Sequence, residues 1–297
     1  MGAARRALMF TRIVIGALWL LHWLPLPVLA AVGAFAGTVL RLLARERRMV
    51  AATNLRLCFP DWDETRRKAV LRAHFVAVAR GLLEGTIGWW GSERRLRRLV
   101  RIEGEEHARA LGDRRVIFLV PHFAGIELEG LRMAMDYQGM AVYSHQKNRV
   151  FDEFLVRARS RFPGTRMVAR QEGVKTLLRG FRDGLGLQLS PDLDLGARDS
   201  LFVPFFGVEA ATVTALSRLA RLTDAAVVPV VVRQLPGAAG YVMRMYPAWE
   251  HYPGDSIEAD TRRMNAFIEA RVLEMPAQYY WLHKRFKTRP EGGERIY

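Results

Sequence analysis

The sequence contains a single cysteine, Cys58, among 297 residues. A disulfide within the chain is therefore excluded, and no thiolate metal cluster can be assembled from it. Its neighbours, Leu57 and Phe59, favour a buried, inert thiol over a reactive one. The chain also lacks a G-x-S-x-G motif, which excludes the serine nucleophile elbow of the α/β hydrolases. No low-complexity segment or long linker is present, so global disorder is not expected.

Formally charged side chains are absent from residues 13–40, a run long enough to cross a bilayer once. Pro25 and Pro27 interrupt this run and predict a kink or a break near residues 24–27. Two arrangements stay open: one kinked transmembrane helix, or two short helices that dip into one leaflet. A cleaved signal peptide fits less well, because the apolar region is too long and a basic segment follows it. We expect a membrane anchor at residues 1–44 and a single α/β domain at residues 45–297.

Acidic residues are outnumbered by basic ones, and the net charge is +15. This charge favours polyanionic partners, which include nucleic acid, anionic lipid head groups and acidic proteins. The balance alone does not choose among them. Basic clusters that could make such contacts stand at residues 93–98 and 284–289, although a solvated helix face explains the first equally well.

From residue 115 onward, short apolar runs alternate with helical patterns, which predicts an α/β fold with a largely parallel central sheet flanked by helices. We expect strands at residues 116–120, 140–144, 185–190, 225–233 and 241–246. We expect helices at residues 126–137, 149–162, 171–183, 209–222 and 256–274. Residues 42–110 are expected to form helices, with one that ends at Pro60 and a long one that starts at Asp63.

The stretch FLVPHFAGIELEG at residues 118–130 brings His122 and Glu127 to the end of a predicted strand. Five residues on one regular helix would put the two side chains about 140° apart, so they can meet only if the helix begins between them. A carboxylate that holds one imidazole nitrogen lets the other act as a general base, here on a hydroxyl of the substrate. The alternative is a histidine in an ordinary turn and a glutamate that stabilises a helix N-terminus. No third ligand accompanies the pair, so a metal site is not expected.

Several further motifs accompany this stretch, and together they resemble the late acyltransferases of lipid A biosynthesis from about residue 10 to the C-terminus. These motifs are NLRLCFPDW at 54–62, LLEGTIGWW at 82–90, SPDLDLGARDSLFVPFFGVEAAT at 190–212 and QYYWLHKRFKTRPEG at 278–292. The resemblance implies a glycerolipid-acyltransferase-like fold. It also implies transfer of a fatty acyl chain from acyl carrier protein to the hydroxyl of a hydroxyacyl chain on a lipid A precursor. No other cofactor is implied.

By this resemblance His122 is the general base and Glu127 is its orienting carboxylate. Substrate-binding roles are implied for Arg159, Asp192, Asp194 and Gly196, with Arg161 as a less certain companion of Arg159. Asp192 and Asp194 would point the same way in an extended strand, although a turn capped by Asp192 remains open. Gly196 is expected to need a positive φ. The aromatic segment at residues 203–207 would line an acyl tunnel or pack in the core.

The same resemblance implies location at the cytoplasmic face of the inner membrane, with anionic lipids as partners and without nucleic acid. A glycerolipid acyltransferase is the alternative enzyme, although that relative usually has aspartate where Glu127 stands and an FPEGTRS-like block where this chain has PDLDLG. A membrane-tethered binder of anionic polymers without catalysis is the third hypothesis. Steep loss of polynucleotide binding with salt, independent of an acyl donor, would distinguish it.

Overall fold

The sheet is the centre of the molecule in the computed structural model, which describes residues 2–297, with side chains from residue 8 onward. The described strands are β1 (Val100–Glu103), β2 (Val116–Leu119), β3 (Gly139–Tyr143), β4 (Thr165–Ala169), β5 (Gly186–Leu189), β6 (Ser200–Phe205), β7 (Val208–Val213), β8 (Ala226–Gln234) and β9 (Tyr241–Met245). Seven of them form one sheet in the order β1-β9-β8-β2-β5-β3-β4. Strands β6 and β7 form a separate antiparallel hairpin.

Helices cover both faces of this sheet and extend from it at the N-terminus. They are α1 (Gly2–Leu21), α2 (Leu26–Leu43), α3 (Arg45–Cys58), α4 (Glu64–Trp90), α5 (Glu93–Leu99), α6 (Glu105–Arg109), α7 (Ile126–Met133), α8 (Arg149–Arg159), α9 (Gly173–Arg182), α10 (Ala215–Thr223) and α11 (Ile257–Glu274). Asp63 caps α4 as expected, since its carboxylate accepts the Arg66 N–H at 2.7 Å.

Five adjacent strands, from β8 to β4, run parallel to one another. Strand β9 is antiparallel to β8, and β1 pairs parallel with β9. The central strands β2 and β8 are mostly apolar and buried, as in Val227, Val228 and Val230 of β8. Burial on both faces is typical of parallel strands that are covered by helices, so the predicted mostly parallel α/β sheet is confirmed.

The N-terminal apolar run forms two helices rather than one. The helical structure is interrupted between Leu21 and Leu26, where Pro25 occupies the N-cap of α2 and Pro27 lies in its first turn. By length and composition, α2 is long and apolar enough to cross a membrane. Four residues of α2 are buried, Leu29, Ala30, Gly33 and Gly37, and α2 packs on α4.

The outer surfaces of α1 and α2 carry exposed large apolar side chains, which include Phe10, Ile13, Leu20, Phe35 and Leu43. A continuous exposed apolar surface of this kind is typical of a membrane contact. The division into an anchor at residues 1–44 and a domain at residues 45–297 stays a prediction.

The structure differs from the predicted elements in two regions. Residues 42–110 are not helical throughout, because Val100–Glu103 forms the edge strand β1. The predicted helix at 209–222 begins only at Ala215, and most of its first part belongs to β7. In both regions a short strand lies next to a helix in the sequence, β1 after α5 and β7 before α10. The apolar residues of the two elements therefore form one continuous pattern, which predicted a single helix.

Close packing of α2 against α4 predicts that Gly37 does not tolerate a side chain. A Cβ at this position would lie 2.5 Å from the Phe75 carbonyl oxygen, and backbone cannot move aside cheaply. We expect Gly37→Leu to lower the free energy of unfolding by about 1–3 kcal/mol or more. Gly16→Leu is the matched control, because a Cβ on Gly16 in α1 meets nothing within 4 Å. Equal thermal midpoints for the two variants in detergent would contradict this packing.

Candidate active site

The site lies where two neighbouring parallel strands end. Leu119 of β2 is paired with Leu189 of β5, and the Val120 N–H donates to the Leu189 carbonyl at 2.9 Å. Each strand is followed by one residue and a proline, which has no N–H to continue the ladder. The next residue is His122 after β2 and Asp192 after β5. Equal spacing from paired positions therefore brings these two residues together.

His122 is held by Asp192 through two hydrogen bonds. Its ring Nδ1 lies 2.7 Å from Asp192 Oδ1, and its backbone N–H donates to Asp192 Oδ2 at 2.9 Å. Burial acts to raise the pKa of Asp192, but the charge and hydrogen bonds of His122 outweigh it and hold that pKa below its usual range. An ionised carboxylate only accepts, so Nδ1 carries the hydrogen and Nε2 is left as the proton acceptor.

The expected hydrogen bond between Glu127 and His122 is replaced by this contact with Asp192. Glu127 stands in the first turn of α7 and faces Arg159, the last residue of α8. The Arg159 guanidinium donates to both carboxylate oxygens at 2.6–3.1 Å, and Trp89 Nε1 donates to Oε1 at 2.7 Å. The helix therefore does begin between His122 and Glu127, but the two side chains join different pairs.

Asp194 does not point into the site beside Asp192, as the extended-strand interpretation expected. Its carboxylate accepts the backbone N–H and the hydroxyl of Thr288 at 2.6 and 2.8 Å, and its own N–H donates to His283 Nε2. Gly196 adopts φ 102° and donates to Asp194 Oδ1, which agrees with the predicted turn. Asp194 thus fastens the loop after β5 to the C-terminal segment.

A cavity of about 840 Å³ opens beside His122, Glu127 and Arg159. Its walls are largely apolar and come from α7, α9, α10 and the strands β3, β4 and β5. Exposed apolar and basic side chains lie together along its lining: Arg170, Val174, Leu195, Arg198, Arg218 and Leu222. Such a cavity suits an amphipathic ligand with a long apolar part and an anionic head.

Other predicted candidates lie outside this cavity. Phe205 is fully buried and packs against Tyr279 and Phe286, and no residue of the segment at 203–207 lines the cavity. Arg161 donates to the carbonyls of Gly88 and Gly91 and closes the end of α4. Cys58 is buried as expected, and burial raises the pKa of its thiol. Among the described residues, no group of three or more His, Cys, Asp or Glu side chains could hold a metal ion.

One residue of the site was not predicted from the sequence: Trp89, which donates to Glu127. Asp192 was predicted, but as a substrate-binding residue and not as the partner of His122. A signal for this pairing was present, because LVPH at 119–122 and LSPD at 189–192 repeat one pattern after two predicted strands. Side chains that follow neighbouring parallel strands meet at the same edge of the sheet. No comparable pattern marks Trp89, whose position depends on how α4 packs against α7.

Acid should weaken the attachment of the C-terminal segment. Burial, together with the charge of Arg285, lowers the pKa of His283 to about 4 from the ordinary 6.5. The folded chain therefore binds fewer protons than the unfolded chain between these values, and stability falls as pH drops through this window. We expect His283 to contribute a loss of about 2 kcal/mol between pH 7 and pH 5. His283→Gln still accepts from Asp194 without titrating, so its thermal midpoint should fall less than that of the wild type; equal losses would contradict the assignment.

Comparisons with known proteins agree with this architecture. The family described as bacterial lipid A biosynthesis acyltransferase matches residues 3–288. The chain is 36% identical to the lipid A biosynthesis lauroyltransferase of Escherichia coli K12, over 94% of this chain and 91% of that protein. It is 31% identical to the palmitoleoyltransferase (95% and 92% covered) and 34% identical to the myristoyltransferase (91% and 83% covered) of lipid A biosynthesis in the same organism.

Among solved structures, the chain is similar to the 1-acyl-sn-glycerophosphate acyltransferase of Thermotoga maritima, with a TM-score of 0.39 and 14% identity, over 80% of this chain and 97% of that one. The family match extends over nearly the whole sequence, from the N-terminal helices to the C-terminal segment that holds Asp194. The chain belongs to the bacterial lipid A biosynthesis acyltransferase family.

Proposed function

We propose that this protein transfers a fatty acyl chain from acyl carrier protein to the hydroxyl of a hydroxyacyl chain on a lipid A precursor. The observation that carries this proposal is the His122–Asp192 pair at the opening of a largely apolar cavity. The pair supplies a base, and the cavity supplies a site for an acyl chain. Three of the relatives are named for different acyl groups, so family membership leaves the chain length open.

The proposed reaction is a direct transfer. His122 Nε2 accepts the proton of the substrate hydroxyl while that oxygen attacks the thioester carbonyl. The new ester C–O bond forms, the C–S bond breaks, and the proton passes from His122 to the leaving thiolate. Asp192 keeps the proton on Nδ1 and stabilises the imidazolium that forms between these two transfers. The buried Cys58 does not line the cavity, so it does not serve as an intermediate acyl carrier.

In this proposal Arg159 binds the phosphate or the thioester region of a substrate. Burial alone would lower its pKa, but the contact with Glu127 raises it above the usual value and keeps the guanidinium charged. Glu127 in turn fixes the guanidinium through a bidentate contact, which is the geometry that orients arginine most firmly. In this proposal Glu127 positions Arg159 and is not the partner of His122.

The acceptor enters from the membrane side in this proposal. The exposed apolar surfaces of α1 and α2 would lie in the cytoplasmic leaflet of the inner membrane, and the arginines along the cavity would face anionic head groups. An acyl carrier protein is acidic in character, and the net charge of +15 favours its approach. No nucleic acid is needed to explain this charge.

The decisive experiment expresses the protein in a bacterial host that lacks its own late acyltransferases. Lipid A from this host should gain the mass of at least one acyl chain, and the mass gives the chain length. His122→Ala should remove the gain while the protein stays folded and in the membrane fraction, because no base is left to activate the hydroxyl. An unchanged lipid A mass with the wild-type protein would rule out the proposed function, and a full gain with His122→Ala would rule out the mechanism.

The role of Asp192 can be separated from a general effect on folding. Asp192→Asn keeps the shape of the side chain but lets it donate to Nδ1, which moves the hydrogen to Nε2. We expect kcat to fall about 10²–10⁴-fold. Asp152→Asn is the matched control, because His145 and Asp152 form a second pair at the same 2.7 Å separation outside the cavity lining. Equal kcat values for the two variants would contradict the assignment.

A double-mutant cycle tests which residue Glu127 serves. Glu127→Gln and Arg159→Gln each leave one member of an ion pair without its counterpart, so the double variant should lose much less in kcat/KM than the sum of the single losses. We expect a coupling free energy of about 1–3 kcal/mol. The cycle of Glu127→Gln with Asp192→Asn should be closer to additive. Additive losses in the first cycle and strong coupling in the second would show that Glu127 acts with His122 and not with Arg159.

A further inference from the structure

The cavity has a branch along the face of the sheet that is covered by α7. Register places Ala141 of β3 beside Met167 of β4 and Gln188 of β5, so these side chains share one face. Gly130 of α7 lies over the same face, because a Cβ on it would meet Gln188 Oε1 at 3.4 Å. All four residues line the cavity.

This branch runs along the full height of the sheet. It begins at the carboxyl ends of the strands, beside His122 and Glu127, and it reaches Gly139 and Thr165, where β3 and β4 begin. From Gly139 to Tyr143 the strand rises about 13 Å. On the side of α7, the branch is lined by two small residues, Gly130 and Ala134. Gly130, Ala134, Ala141 and Met167 carry no charge, so this part of the cavity suits an unbranched acyl chain better than the charged head group of an acceptor lipid.

Tyr137 stands at the far end of the branch. It follows α7, and its backbone N–H donates to the Met133 carbonyl at 2.9 Å. Its ring packs edge-on against Phe118 of β2, with ring centroids 5.7 Å apart. Its hydroxyl donates to Glu105 Oε1 at 3.2 Å and contacts Met245 Sδ at 3.8 Å. The ring is therefore fixed from both ends.

A second cavity, of about 760 Å³, also borders Tyr137. Its lining includes Phe118, Leu185 and Gly186 at the start of β5, and several arginines toward solvent. Tyr137 is the one residue of the described chain that lines both cavities. Tyr137 therefore lies between the catalytic cavity and additional space near the start of β5.

We propose that the ring of Tyr137 sets the maximum length of the acyl chain that this enzyme transfers. The ω end of the chain stops against the ring when the thioester lies beside His122. This inference rests on the proposed acyl transfer, since it assigns the branch to the transferred chain. The hydroxyl of Tyr137 holds the ring in place but does not contact the chain, so bulk rather than polarity is the determinant.

The test uses the full-length protein in detergent with a lipid A precursor and an equimolar mixture of saturated acyl carrier protein thioesters, from decanoyl to stearoyl. Product masses give the length distribution in one reaction. Tyr137→Ala and Tyr137→Leu open the way to the second cavity, so the most abundant product should lengthen by at least one two-carbon step. Tyr137→Phe keeps the ring and should retain the wild-type distribution. Gly130→Leu fills the branch above Tyr137 and should shorten the product.

Each outcome separates the inference from the function on which it rests. A wild-type protein that transfers no acyl chain overturns the proposed function, and the inference with it. An active wild type whose length distribution is unchanged in folded Tyr137→Ala or Tyr137→Leu overturns the inference alone, and so does a Tyr137→Phe variant that lengthens the product as much as alanine does. If Tyr137→Ala and Tyr137→Leu both fail to fold, an unchanged product-length distribution in Gly130→Leu overturns the inference, because the transferred chain then lies elsewhere.

Discussion

The parallel pairing of β2 with β5 is the constraint on which the site depends. Because Leu119 and Leu189 are in register, residues at equal distances beyond them come to the same place. Pro121 and Pro191 end the ladder at the same height, which frees the next residue of each strand to turn its side chain toward the other. A one-residue shift in this register would separate His122 from Asp192. The Asp192 carboxylate would then be buried without its partner.

The site contains two separate pairs, His122 with Asp192 and Glu127 with Arg159. Asp192 is almost fully buried, and its two oxygens accept hydrogen bonds from the ring and the backbone of His122, so it acts on His122 and does not contact the ligand. Glu127 and Arg159 are more accessible and face the cavity, where a charged guanidinium can meet an anionic or polarised group. The C-terminal segment supports the first pair, because Thr288 and His283 hold Asp194 in the loop that carries Asp192.

Much of the sheet could be predicted from the sequence, because its central strands are nearly continuous apolar runs bounded by polar turns. The expected strands at 116–120, 140–144, 185–190, 225–233 and 241–246 all form within a residue or two of those bounds. Strand β4 was missed, because its sequence TRMVA is short and carries an exposed arginine. The β6–β7 hairpin was missed since AATVTAL continues from β7 into α10 without a polar break.

The sequence by itself determined the family, the α/β class, the interruption of the apolar run at the two prolines and the position of His122 at the end of a strand, since local patterns and linear motifs carry all of these. It could not determine which carboxylate orients His122. Glu127 is five residues away and Asp192 seventy, yet strand pairing brings the distant one to 2.7 Å while α7 turns the near one toward Arg159. Only the tertiary structure decides such a choice, because hydrogen bonds depend on distance in space and sheet register sets that distance independently of separation along the chain.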